Sequence, residues 1–398
     1  MRLLILTWEY PPIVEGGLAR HVCKLAEALV RRGVDVHVLT RGDRALPETA
    51  VQRGVTVHRV PEPGRPRDVD EFVAWIEHMN DDMLAAGRSL EAELSFDVVH
   101  GHDWLVARAG RALAKDAGCP WVVTVHATEH GRHQGWVENY PQSHIHGVER
   151  WMTHDASRVI ACSAYMQDHC SEIFELEPDR IEVIPNGIDP TDLRPVADLA
   201  EYRKRFAAPD ERLVILAGRL VYEKGFQLAL EALPRIIDDL GKVRFVIAGS
   251  GTHEEELRTQ ATQLGLDEHG TFLGWVDDRE LHSLYAVADL CVIPSIYEPF
   301  GLVALEAMAS GCVCIVADTG GLREIVPETA GLRFAARDAG ALGAAIERAL
   351  TDHALRAALI DEAREHVRRF DWDEIADHTL ALYTGLRGVP LAASADAP

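Results

Sequence analysis

A chain of 398 residues is longer than one hydrophobic core usually supports, so two domains are expected. Its formal net charge of −23 excludes nucleic acid and anionic membrane surfaces as main partners, because the general field repels phosphate; any phosphate site must be locally basic. Seven cysteines, odd in number and set mostly in apolar runs, exclude a disulfide framework and read as buried free thiols of a reducing compartment. The apolar stretch Arg2 to Thr7 is too short to span a membrane and runs into a polar, Pro-rich loop. The expectation is therefore a soluble cytoplasmic enzyme without integral membrane contact, ending in a disordered tail (389–398) rich in Ala, Ser, Asp and Pro from Ala392 on.

In chain order, strand-like runs alternate with helical ones: Leu3 to Leu6, Val34 to Leu39, Val55 to Val60, Asp97 to His100, Trp121 to Val125, Val159 to Ala161 and Ile181 to Ile184. Such alternation means a parallel sheet covered on both faces, with ligands collecting at the carboxyl ends of the strands. The first strand is followed by a loop ending in Gly16-Gly17, which opens an amphipathic helix running to Arg31, Arg32 and Gly33. The helix near Val69 to Leu84 is acidic and gives no basic or apolar face for a lipid. His100, His102, Asp103 and Trp104 follow the fourth of these strands; two histidines and an aspartate suggest metal, but the next helix supplies no third ligand at suitable spacing. His126 follows the fifth, and His130, His133, His144 and His146 read as a polar rim. Asn186-Gly187, between an apolar strand and Pro190, reads as a sharp turn.

The alternation restarts at Leu213 to Leu216, a run that ends in Arg219 and Lys224 at a helix start, where two cations suit a diphosphate and any charge growing on it. Gly249 closes a further strand, and Gly274, Trp275 and Val276 another. The buried run Asp289 to Ile293 is broken by Pro294; then come Glu298, Gly301 and a short apolar helix from Leu302 containing Glu306. The free N–H groups at that helix start make an anion seat, and the two carboxylates are spaced to grip hydroxyls on either side of it. Gly320-Gly321 follows the next strand, helices from Ala339 to Arg369 form cover, and Phe370, Asp371 and Trp372 open a last helix to Leu386. Asp68-x-Asp70 and Asp371-x-Asp373 have a manganese-type spacing, but neither follows an apolar strand, and both read as helix caps.

Glu298 and Glu306, with seven residues between them that include Pro-Phe-Gly-Leu, resemble the signature of retaining GT-B glycosyltransferases, the glycogen synthase and sucrose synthase group (glycosyltransferase family 4). Six separated motifs agree with it in order over about residues 1–387, and the His126-Ala-Thr-Glu stretch is most similar to actinobacterial α-1,4-glucosyltransferases of glycogen and methylglucose polysaccharides. The resemblance implies two Rossmann-like domains facing a cleft: 1–188, on the acceptor side, with a C-terminal helix (371–388) crossing back to it, and 189–370, which binds the nucleotide sugar. It implies that Arg219, Lys224, Glu298 and His126 act on the transferred group. Gly16, Gly17, Asn186, Gly249, Val276, Gly301, Leu302 and Glu306 would hold the donor; His102, Asp103 and Trp104 would border the acceptor.

The expected substrates are a nucleotide sugar, ADP- or UDP-glucose, and an oligo- or polysaccharide acceptor. No metal and no cofactor are expected, and a homodimer is a possibility. Where starch and bacterial glycogen synthases have a lysine two residues before the first glycine, this chain has Val14. The alternative is another hexosyl transfer, such as mannose from GDP-mannose to a lipid or small acceptor. A dehydrogenase would need Gly-x-Gly-x-x-Gly after the first strand, which is absent; a silent sugar-binding fold would be expected to lose the charged motif residues, which are all present.

Overall fold

The computed structural model describes residues 1–62, 64, 66 and 69–386. Asp68 and the tail lie outside them. The chain divides into two compact units, Met1–Gly187 together with the segment from Trp372, and Ile188–Asp371.

The first unit holds an eight-stranded sheet: β1 (Arg2–Leu6), β2 (Asp35–Gly42), β3 (Thr49–Gln52), β4 (Val55–Pro61), β5 (Val98–His102), β6 (Trp121–Val125), β7 (Arg158–Ala161) and β8 (Ile181–Val183), in the order β3-β4-β2-β1-β5-β6-β7-β8. The central strands β1, β5 and β6 are almost wholly buried runs because helices cover both faces, the pattern of a doubly wound sheet. All neighbours are parallel except β3 and β4, an antiparallel edge hairpin turned at Arg53-Gly54 that the alternation of strand and helix did not reveal. The helix Gly17–Arg31 buries Ala19, Val22, Leu25, Ala26 and Leu29 at helical spacing, and each large side chain so buried contributes about 1.5–3 kcal/mol. The final helix, Trp372–Gly385, lies against it: Asp373 contacts Arg31 at 2.5 Å and Arg32 at 2.8 Å, while Asp377 takes Arg32 at 2.8 Å. Asp373, in the first turn of its helix, is thus held by arginines as well as by the dipole.

The second unit holds a six-stranded parallel sheet: β9 (Arg212–Ala217), β10 (Val243–Ala248), β11 (Gly270–Gly274), β12 (Leu290–Ile293), β13 (Val313–Ala317) and β14 (Gly331–Phe334), in the order β11-β10-β9-β12-β13-β14. Its core packs Val214, Leu216, Ile247, Val292 and Ile315 against Phe226, Leu230 and Leu233 of the helix Phe226–Leu240.

Strand order reverses once in each sheet, between β1 and β5 and between β9 and β12. Successive connections leave on opposite faces there, so a crevice opens at the strands' carboxyl ends. β9 and β12 pair at only two positions, Val214 with Leu290 and Ile215 with Cys291. All seven cysteines are free, and all but the half-buried Cys23 are buried. Among the described residues no helix is long and apolar enough to cross a membrane.

Candidate active site

In the second unit the site is assembled from the loops leaving β9 and β12. The turn at Tyr222 to Gly225 is zipped onto the β12 exit, with the amides of Ile296 and Tyr297 donating to the Glu223 carbonyl at 2.8 and 3.2 Å. Gly225 is indispensable to that approach: its φ is +70°, and a Cβ there would stand 1.9 Å from the Pro294 carbonyl oxygen. The consequence is a contact that spacing could not reveal. The Lys224 ammonium meets the Glu298 carboxylate at 2.7 Å, and the Ser295 hydroxyl donates to the same oxygen at 3.1 Å. Both members of the pair are largely withdrawn from water.

Gly301, at φ +121°, precedes the helix Leu302–Ala309, and the Tyr285 hydroxyl lies 3.5 Å from Glu306 within it. The Gly321 amide donates to the Glu298 carbonyl at 2.9 Å, and a Cβ on Gly321 would strike the Pro299–Phe300 backbone, so the turn after β13 braces the same loop. Arg219 is exposed just past β9, and Val276 is half-buried just past β11. Gly249 is accounted for by backbone packing: at φ +147°, its Cβ would come within 1.8 Å of the Gly218 carbonyl oxygen.

In the first unit the β1 and β5 exits meet the start of the helix Gly17–Arg31. His102, ending β5, makes a 3.0 Å contact through Nδ1 to Nε2 of His126, just past β6. His21, from the helix, sets its ring 4.7 Å from that of His126 and 5.5 Å from that of His102. Beneath them His100 is fixed by Tyr383 at 2.6 Å and Thr124 at 2.8 Å. Burial drives all four imidazoles toward the neutral form, His126 down to about 3 and the others well below the usual histidine value. Nε2 of His102 is buried without a partner, which leaves it available to a ligand.

Asp103 adopts φ 60°, ψ 174°, a backbone conformation costly for a non-glycine residue. Its carboxylate accepts the His126 amide at 2.7 Å and is pushed up to about 6 by burial, against the pull of Arg132 and of the backbone amides of His126 and Ala127. It pins the turn that carries His126.

The sequence pattern described as "Glycosyl transferases group 1" matches residues 199–366, and that described as "Glycosyltransferase Family 4" matches residues 15–192. A glycogen synthase of Mycobacterium tuberculosis is 39% identical over 397 residues, covering 96% of this chain and 94% of its own. The chain belongs to this glycosyltransferase family. A D-inositol 3-phosphate glycosyltransferase of Acidothermus cellulolyticus is 32% identical over 92% of this chain and 85% of its own. Among solved structures, sucrose-phosphate synthase from Thermosynechococcus elongatus superposes with a TM-score of 0.83 at 26% identity, covering 97% of this chain and 98% of that one. The fold is GT-B.

The residues expected to act in this glycosyltransferase gather in two groups, one per unit. Lys224 and Glu298 touch, with Gly301, Leu302 and Glu306 on the same β12 exit. His102, His126 and Asp103 form one hydrogen-bonded cluster. Three others of the expected residues are set by packing or by the chain's own groups. Trp104 is buried, its ring 6.3 Å from Phe72, and its side chain packs more than it displays. Asn186 is buried, and the glycine after it answers to crowding: a Cβ on Gly187 would stand 2.6 Å from Trp372. At Gly16, whose φ of −170° suits any residue, a Cβ would meet nothing within 4 Å; the amide is taken at 3.2 Å by the Glu9 carboxylate, which occupies this helix start.

Sequence reasoning passed over Glu9, His21 and Ser295. Among the described residues His21, His102 and His126 bring ligand atoms within 4.8 Å of one another, the third imidazole coming from a helix some eighty residues earlier in the chain. Of the rim histidines, His133 is exposed and pairs with Glu129 at 3.1 Å. His130, His144 and His146 are half-buried, and the His130 and His146 rings stand 5.9 Å apart.

Proposed function

We propose that this glycosyltransferase moves glucose, with retention of the α configuration, from ADP- or UDP-glucose to an α-1,4-glucan acceptor. The observation that carries the reading is the 2.7 Å contact of Lys224 with Glu298 at the β9/β12 switch point. It sets a cation and a hydroxyl-gripping carboxylate side by side, as a donor with a diphosphate next to a sugar requires. In this reading Arg219, Lys224 and the amides of Gly301 and Leu302 hold the diphosphate, and Glu306 holds the ribose. Glu298 and His126 hold the sugar hydroxyls.

As the diphosphate leaves, negative charge grows on its oxygen and positive charge on the anomeric carbon. Lys224 stabilises the first, and the acceptor hydroxyl attacks from the face the diphosphate vacates, giving up its proton to the departing phosphate. The neutral histidines both donate and accept, which suits hydroxyls. No metal enters this scheme, so chelator should leave turnover unchanged. Glucose and glucan are favoured by the relative named glycogen synthase, 39% identical over nearly the whole chain. The relative named D-inositol 3-phosphate glycosyltransferase supports a second reading, hexosyl transfer to a small phosphorylated polyol.

The test is nucleotide release from ADP-, UDP- and GDP-sugars, each with and without a maltooligosaccharide, with the anomeric configuration of the product read by NMR. Acceptor-dependent release from ADP- or UDP-glucose with an α-linked product is expected. Release only from GDP-mannose, or only with an inositol phosphate, would move the assignment to the other hexosyl transfers.

A further inference from the structure

Four aromatic side chains among the described residues are more than half exposed, and two of them, Trp136 at 77% and Tyr140 at 56%, sit four residues apart in one loop. Scattered apolar residues on a surface need no explanation, but a pair of aromatics offered by one ordered loop does. The loop leaves the short helix Glu129–Arg132, which itself follows directly on the β6 exit that carries His126. It is tightly tied: Gly135 donates to the His130 carbonyl at 2.8 Å, Trp136 to that of His133 at 3.0 Å and Val137 to that of Gly135 at 3.1 Å. The Gln134 side chain donates to the Gly131 carbonyl at 2.9 Å. Gln134 and Gly135 are consecutively left-handed, at φ 54° and 91°, the first an uncommon conformation outside glycine. The His144 ring stands 6.2 Å from that of Tyr140. The backbone is thus set to hold an indole in water, where it buries nothing of its own fold.

We propose that Trp136 and Tyr140 form a stacking platform for the acceptor glucan at a distance from the transfer point. A hexose ring presents an apolar C–H face ringed by hydroxyls, and an aromatic face covers that patch while the hydroxyls stay in water. A neutral chain of such rings is also indifferent to the net charge of −23 that repels anionic polymers. The loop follows ten residues after His126 on the chain leaving β6, and a platform set apart from the transfer point would be touched by a long acceptor and missed by one of one or two sugars. The inference rests on the α-glucan reading given above and adds to it a preference for long acceptors.

Trp136→Ala and Tyr140→Ala, with Trp136→Phe as the conservative variant, would be compared with the unaltered chain by acceptor kinetics from maltose to maltoheptaose. The same proteins would be run in native gels cast with glycogen. The expected result is about a tenfold rise in KM for maltoheptaose in Trp136→Ala, with kcat and the maltose KM unchanged, and lost retardation in glycogen that Trp136→Phe restores. An equal KM rise for maltose and maltoheptaose, or a fall in kcat, would place Trp136 at the transfer point and overturn the platform. So would unchanged KM at every length. If the enzyme transfers to no glucan, the α-glucan reading fails on the kinetics, and the gels decide the platform independently: retardation lost in Trp136→Ala sustains it, and retardation absent from the unaltered chain ends it.

Discussion

The two switch points are built of opposite materials. At the end of β5 and β6 the groups are four imidazoles, three buried and His126 half-buried, that burial drives toward the neutral form; His102 contacts His126, His100 contacts Tyr383 and Thr124, and a strained aspartate holds the loop. At the end of β9 and β12 the groups are an ion pair and an exposed arginine, on loops that approach one another only because Gly225, Gly249 and Gly321 lack a Cβ. Each arrangement suits a different ligand. Hydroxyls are recognised by groups that donate and accept without carrying charge, and a site of that kind can be buried at modest cost once it is hydrogen-bonded. A diphosphate must be met by charge, which stays partly hydrated, so backbone packing has to fix the charged groups in place.

The sharpest way to break the comparison is to remove the charge. Lys224→Ala should lower kcat by about 10²- to 10³-fold while donor affinity, measured by calorimetry, changes less than about tenfold, because the growing charge on the leaving phosphate is where the ammonium acts. If Lys224 only anchors Glu298, then Lys224→Ala and Glu298→Gln will be no worse together than either is alone and binding will fall in step with turnover.

A smaller effect separates the glycines. Gly249→Ala should cost about 2–5 kcal/mol of stability, since its methyl group would collide with the Gly218 carbonyl oxygen. Gly16→Ala, in open space and extended backbone, should cost under about 1 kcal/mol and act on donor binding instead. Equal losses in thermal unfolding would dissolve the contrast.

How far the sequence led can be read from the same residues. Continuous apolar runs gave the parallel strands, because a strand covered on both faces must be apolar throughout. They missed β3, whose exposure alternates and whose Val51 is 71% exposed, and β14, four residues at a sheet edge. Carboxylates and cations beside strand ends were visible as types. Their pairing was not: Lys224 and Glu298 are 74 residues apart and meet through a glycine contact that shows only in three dimensions. His21 was invisible for a related reason. A histidine on the core face of an amphipathic helix looks like packing until the strands it faces are known, and a search for partners of His102 only nearby in the chain could not find it.

The last prediction tests whether the imidazole cluster is neutral, as its contrast with the ion pair demands. A histidine whose folded pKa lies well below its unfolded value of about 6.5 binds fewer protons when folded in the window between the two values. Its contribution to stability is therefore fully present above pH 6.5 and is lost as pH falls below it, at up to about 1.4 kcal/mol per pH unit for each such ring. His21, with both nitrogens buried and its ring 5.4 Å from Trp372, can be replaced by phenylalanine without leaving a void. Relative to its own stability at pH 7.5, His21→Phe should lose about 2 kcal/mol less than the unaltered chain on going to pH 5, read from urea unfolding at the two pH values. Parallel losses would mean that His21 takes up a proton in the folded state, and the first site would then be as charged as the second.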